Sequence, residues 1–167
     1  MKYRVLGKQN NSRMCFVCGL NNGAGLWASF YEINTGELVA VFTPREEHQS
    51  YPERLHGGIS ATILDETMGR VINITEADTW GVTMELKIRY KKPVPLNQEL
   101  RVVGRLVKNS SRLFECTGEI LLPDGEIAVV GEGKYLKQPI EKIADFDHEK
   151  EMWSVDKKDS DPKEIEL

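Results

Sequence analysis

Apolar and polar positions follow two rhythms along this chain. In GVTMELKIRYKKPV they alternate one for one from Val82 to Tyr90, the pattern of a half-buried strand. ELRVVGRLVKNS, RLFECTGEILL and EIAVVGEGKYLK follow as further strands, joined at Asn109-Ser110-Ser111 and Pro123-Asp124-Gly125. Asp-Gly between two apolar runs is a strong hairpin cue, because both residues tolerate positive φ. Earlier, GLWASFYEI and ELVAVFT read as two strands around Asn34-Thr35-Gly36. Between the two sets lies HGGISATILDETMGRVINI, which contains no Pro. Its apolar residues (Ile59, Ala61, Ile63, Leu64, Met68, Val71, Ile72) fall on almost every side, which predicts a buried helix. Two strands, one long helix and three or four long antiparallel strands make an α+β fold, a single helix against a curled sheet. One helix covers one face of a sheet, so self-association is expected to hide the other.

Composition narrows the class. The 167 residues suit one domain with a core that needs neither disulfide nor metal. Mean hydropathy is −0.40, and no apolar run approaches the length of a membrane span. The opening MKYRVLGKQNNSRMC lacks the apolar stretch of a secretory leader, so a cytoplasmic protein is expected. Cys15, Cys18 and Cys116 are odd in number and fit a reducing compartment. A formal charge of −4 speaks against a nucleic-acid binder. That charge is unevenly placed: residues 141–167 hold ten of the 26 acids and five of the 22 bases, which leaves the rest of the chain slightly basic. The chain therefore divides into a turn-rich segment (1–25), a main domain (26–138) and an acidic tail (139–167). The tail is expected to form one short helix near 145–153 and then a loose end.

The chemistry concentrates around the predicted helix. Gly57 and Gly58 open it, where first-turn amides lack intrahelical partners and the dipole is positive. Such amides suit an oxyanion or a polarised carbonyl. His56 precedes them as ligand, acid/base or helix cap. Asp65 lies nine residues after His56, on a stripe with Gly58, Ala61, Thr62, Met68, Gly69 and Ile72. It has no base at i±3 or i±4, and a carboxylate on a small, apolar stripe is costly unless paired or functional. Glu66 differs, because Arg70 stands at i+4 to pair with it. Cys15-x-x-Cys18 lacks the second ligand pair of a structural zinc site and does not open a helix as a thioredoxin-like motif would. It reads as two small buried residues in a tight turn. Lys108, Asn109, Ser110, Ser111 and Arg112, in a turn between strands, offer cations, hydroxyls and amides to a phosphate.

Strand, strand, HGGISATILDETMG helix and a four-strand run together resemble the hot-dog-fold acyl-CoA thioesterases, specifically the PaaI-like branch, over roughly residues 14–137. The opening CFVCG…GL is similar to that of many bacterial members. The resemblance implies a long helix wrapped by a curled antiparallel sheet, in a homodimer or dimer of dimers with active sites at the subunit interface. It implies Asp65 as general base or nucleophile, Gly57, with Gly58 beside it, as oxyanion donor, and His56 as a substrate-placing residue. Thr83 would arrive from the partner subunit to orient water. Lys108 to Arg112 would hold the nucleotide end of coenzyme A, which enters as part of the substrate, with no separate cofactor, no metal, no nucleic acid and no membrane. Six residues before the histidine, where some relatives have an Asn, this chain has Ser50, with Gln49 beside it. A rival of another class is a non-catalytic acyl-CoA-binding regulator of the same fold. Those usually carry a helix-turn-helix, which neither end of this chain suggests.

Overall fold

The computed structural model describes residues 1–167. Its only long helix, α1 (Gly57–Arg70), lies in a trough that missing side chains open in the sheet. The strands are β1 (Lys2–Lys8), β2 (Ser29–Ile33), β3 (Leu38–Phe42), β4 (Trp80–Tyr90), β5 (Leu100–Asn109), β6 (Leu113–Leu121), β7 (Ile127–Gln138) and β8 (Glu164–Glu166). They form one sheet in the order β4-β7-β6-β5-β3-β2-β1-β8, antiparallel throughout. Gly104, Gly118 and Gly131 face one another across β5, β6 and β7. A Cβ at Gly118 would stand 2.9 Å from Met68 Cγ and 3.0 Å from Leu64 Cδ2. Glycine there lets the helix settle onto the backbone. Ile63, Leu64, Met68, Val71 and Ile72 are buried against Phe30, Leu38, Val102, Phe114 and Ile120. Full burial of such a side chain contributes about 1.5–3 kcal/mol.

The α+β architecture, a long helix wrapped by a curled antiparallel sheet, is as the sequence predicts. The four long strands after the helix are present, and both predicted glycine turns have positive φ, +83° at Gly36 and +84° at Gly125.

Other expectations need correction. The helix is not buried all round: Gly58 is exposed, and Ala61, Thr62, Asp65 and Gly69 are only half-buried, because the sheet covers a single side. The alternation in β4 breaks at a bulge between Thr83 and Glu85, and Val82 and Met84 remain exposed on that edge strand. Residues 1–25 are not simply turns, since β1 pairs with β2. The tail is no loose end. Its short helix is Ile140–Ile143 rather than 145–153, and β8 pairs with β1. Ile165 and Leu167 pack with Tyr31, Ile33, Val39, Val103 and Leu121, so the chain's own tail covers part of the second sheet face. Polar anchors fix it: Asp161 accepts from Lys8 at 2.7 Å and from the Tyr31 hydroxyl at 2.9 Å, and Trp153 packs on Trp80 at 5.1 Å.

Candidate active site

His56 ends an extended segment and caps α1. Its Nδ1 accepts from the Gly58 amide at 2.9 Å, and its carbonyl accepts from Ile59 and Ser60 at 3.0 and 3.1 Å. Nδ1 as acceptor puts the ring proton on Nε2, on the solvent side of an exposed residue. The cap separates the two glycines. Gly58's amide is committed to His56, whereas Gly57's donates to no protein acceptor. The expectation for Gly58 as an oxyanion donor is corrected on this ground, and Gly57 keeps a free first-turn N–H. The Tyr90 hydroxyl donates to the Gly57 carbonyl at 2.6 Å, which fixes the plane of that residue. Leu55, Gly57, Ser60, Tyr90, Lys91 and Lys92 line a groove of about 270 Å³ here. Ser50 lies in the exposed loop that leads to this end, its amide bonded to the Arg54 carbonyl. Gln49 is occupied, since its Oε1 accepts from the Glu53 amide at 3.0 Å.

Asp65 stands two turns further along α1. No cation pairs with it. Two hydroxyls do: Thr83 on β4 donates to Oδ1 at 2.9 Å and lies 3.1 Å from Oδ2, and Tyr135 on β7 donates to Oδ1 at 3.2 Å. Burial pushes the Asp65 carboxyl above the usual carboxylate value; the hydroxyls of Thr83 and Tyr135 pull the other way, and Glu66 adds to the rise. A half-buried carboxylate without a cation, beside an exposed Thr, is arranged to take a proton from water.

The expectation that Thr83 comes from a partner subunit to reach Asp65 is corrected, because Thr83 of the same chain already bonds it. What one chain does not bring together is Gly57 and Asp65. Eight residues of helix separate them by about 12 Å along the axis.

Tyr135 escaped the sequence reading. It is fully buried, stacks on Phe114 at 5.0 Å, and lies seventy residues from Asp65 in the chain. Gly133, two residues earlier, leaves room for its ring, since a Cβ there would fall 2.5 Å from it.

Of the stretch expected as a turn, Lys108 and Asn109 still belong to β5, and only Ser110 to Arg112 make the turn to β6. Asn109 and Lys137 both bond Glu76, at 3.1 and 2.6 Å, and Ser110 closes the turn onto Leu113. Lys108 is 4.0 Å from Glu115, while Ser111 and Arg112 are exposed. Thr83, Tyr135, Phe114 and Asn109 are successive partners across four strands. The turn is therefore at the Asp65 end of the sheet, not at Gly57.

Glu66 pairs with Arg70 at 2.7 Å, as its spacing predicts. The sulfurs of Cys15 and Cys18 and a Glu66 oxygen lie within 4.8 Å of one another, the one cluster with the donor set of a metal site.

Comparisons with known proteins bear on the family and the fold. Residues 53–129 match the thioesterase superfamily family model. Acyl-coenzyme A thioesterase THEM4 of Rattus norvegicus is 35% identical over 115 residues, 66% of this chain and 48% of that protein. Acyl-coenzyme A thioesterase 13 of Homo sapiens is 27% identical over 78 residues, 47% of this chain and 56% of that protein. The chain spans about half the length of these curated relatives. A crystal structure of the thioesterase superfamily protein RHA08564 superposes with a TM-score of 0.67 at 30% identity, covering 74% of this chain and 60% of that one. The BH2602 protein from Bacillus halodurans, solved with CoA, gives 0.55 at 29% identity over 60% of this chain and 66% of its own. The fold is the hot-dog fold of these thioesterase structures.

Proposed function

We propose that this chain, which carries a thioesterase-superfamily segment over residues 53–129, hydrolyses an acyl-CoA thioester to a free acid and coenzyme A. The observation that carries the reading is Asp65: a half-buried carboxylate with no cation, held by two hydroxyls halfway along the helix. Water donates its proton to Asp65 Oδ2 as its oxygen attacks the thioester carbonyl. Thr83 and Tyr135 hold the carboxylate in place. The developing oxyanion accepts from the Gly57 amide, at the positive end of α1. Thiolate leaves without strong acid assistance, so no metal or cofactor enters the scheme. His56 keeps Gly58 engaged and presents Nε2–H toward the acyl or pantetheine arm, and Ser50 offers a hydroxyl at the same end.

The reading requires two copies. A carbonyl carbon and its oxygen are bonded neighbours, so base and oxyanion donor must lie within a few ångströms of one point. Gly57 and Asp65 of one helix are about 12 Å apart. A complete site therefore pairs Asp65, Thr83 and Tyr135 of one protomer with Gly57 and His56 of another. The open edge of β4 supports this assembly: eleven residues with an unpaired ladder and exposed Val82 and Met84 invite a second strand. Lys108 and Arg112 then serve the coenzyme phosphates. The CFVCG opening and the helix motif are what support a PaaI-like reading within the superfamily. Three free thiols suit the cytoplasm, and no helix is long and apolar enough to cross a membrane.

Thiol release across a panel of acyl-CoA esters tests the proposal. Wild type is expected to turn over at least one ester, and Asp65→Asn to lose that turnover while still binding. Tight binding with no free thiol from wild type would overturn it in favour of an acyl-CoA-binding regulator.

A further inference from the structure

We propose that Cys15 and Cys18 form a reversible redox site, closing to an intramolecular disulfide by exchange with a low-molecular-weight disulfide. The inference is independent of the hydrolytic reading.

The backbone is already set for the bond. Residues 15–19 form a single turn in which the Gly19 amide donates to the Cys15 carbonyl at 2.8 Å. A turn of this kind brings the first and fourth α-carbons within about 7 Å, inside the span a disulfide bridges. Gly19 is required for it, because a Cβ there would fall 2.3 Å from the Cys15 carbonyl oxygen. The turn is pinned from outside: Asn11 Nδ2 donates to the Cys18 carbonyl at 2.9 Å, and the Ala28 amide donates to the Val17 carbonyl at 2.9 Å. Both sulfurs face the same space, within 4.8 Å of each other and of Glu66. Closing the bond needs side-chain rotation, not refolding.

The two cysteines are unequal. Cys15 is half-buried and reachable, whereas Cys18 has no exposed surface. The Cys15 sulfur accepts from the Val17 amide at 3.4 Å. Cys18 Sγ lies within 4.8 Å of it, close enough to resolve a mixed disulfide once the side chains turn. This is the arrangement of an attacking thiolate beside a resolving thiol.

A metal site is the competing reading of the same atoms, and Arg70 argues against it. Its Nη2 lies 3.2 Å from Cys18 Sγ and its Nε 2.7 Å from Glu66. The guanidinium, buried and stacked 4.4 Å from the Phe30 ring, already holds the cationic position between two of the three donors. A metal would have to expel it. A thiol pair tolerates it: the cation sits on Cys18, the resolving sulfur, and favours its thiolate against the burial that opposes it.

The chemistry balances as two exchanges. Cys15 thiolate attacks one sulfur of the small disulfide RSSR, forms the mixed disulfide Cys15–S–S–R and expels RS⁻. Cys18 then gives up its proton, and its sulfur attacks the Cys15 sulfur. The Cys15–Cys18 bond forms and the second RS⁻ leaves. The protein is oxidised by two electrons and RSSR is reduced to two thiols.

The full-length protein, incubated with glutathione disulfide, tests this by thiol titration and peptide mass spectrometry. The titratable thiols are expected to fall from three to one, with two hydrogens lost on the 15–18 peptide, and excess reduced glutathione to restore all three. Cys18→Ser should accumulate a glutathione adduct on Cys15, and Cys15→Ser should take up none. Three thiols persisting in wild type would overturn the proposal whether or not the variants fold. So would a stoichiometric zinc ion in the purified protein that blocks the exchange.

Discussion

Asp65 meets opposing demands, and its titration records the balance. Burial and Glu66 push its carboxyl up, while the hydroxyls of Thr83 and Tyr135 hold it down. Removing the Tyr135 hydroxyl with Tyr135→Phe keeps the ring on Phe114 and takes away one donor. The acidic limb of kcat/KM is then expected to move to higher pH, whereas an unchanged limb would dissociate Tyr135 from the base. Asp65→Asn should cost about a hundred- to ten-thousand-fold in kcat, the usual worth of a positioned general base. The same substitution should raise stability at neutral pH. A carboxyl whose folded pKa is raised favours the native state below its unfolded value and loses that contribution as pH rises through the folded value. The variant should therefore melt above wild type at pH 7, and the gap should close on acidification. Much of this residue was legible in the sequence: no base at i±3 or i±4, small neighbours, and a Gly-Gly two turns upstream. Tyr135 was not, since nothing in a strand pattern says which side chain crosses to a helix seventy residues away. Nor was the division of labour between Gly57 and Gly58, which depends on where the His56 ring points.

At the scale of elements, the helix and sheet fit through absence of side chains. Gly118→Ala would push a methyl into Met68 and Leu64, and overpacking of that kind costs about 1–3 kcal/mol. Chemical denaturation should show that loss with an unchanged m-value. The long elements were legible because they are long: β4 to β7 each run nine residues or more, and α1 shows an uninterrupted helical run. β1 and β8 were not, because a seven-residue strand rich in Lys and Arg and a three-residue Glu-Ile-Glu carry little pattern. Their pairing joins the two ends of the chain, and charge accounting misread its purpose. The acidic tail is a strap with its apolar residues turned inward. Burial opposes ionisation of Asp161, but the Lys158 amide, Lys8 and the Tyr31 hydroxyl outweigh it and hold the carboxyl below its usual range. A lowered folded pKa gives stability above the unfolded value that is lost as pH falls through the folded one. Amide protection factors in residues 154–167 should therefore fall in acid, relative to the intrinsic exchange rate at each pH. Asp161→Asn should reproduce that loss of protection at neutral pH, and protection equal to wild type would show that the apolar contacts alone hold the strap.

For the whole molecule, the central claim is that one chain supplies two halves of different active sites. Since the scheme uses no metal, exhaustive chelation with EDTA should leave turnover unchanged. The division itself is tested by complementation. Asp65→Asn removes the base and leaves Gly57. Gly57→Pro removes the Gly57 N–H and sets its Cβ 3.4 Å from the Tyr90 ring, an ordinary contact; Pro is well accommodated at the first helical position and His56 before it is already extended. Each variant alone should be nearly inactive. Unfolded together and refolded at equal amounts, they should recover about a quarter of wild-type activity, because half the dimers are mixed and each has one intact site of two. Recovery of nothing, from a mixture shown to contain mixed dimers, would contradict the account, since a site built within one chain has no intact copy in either variant.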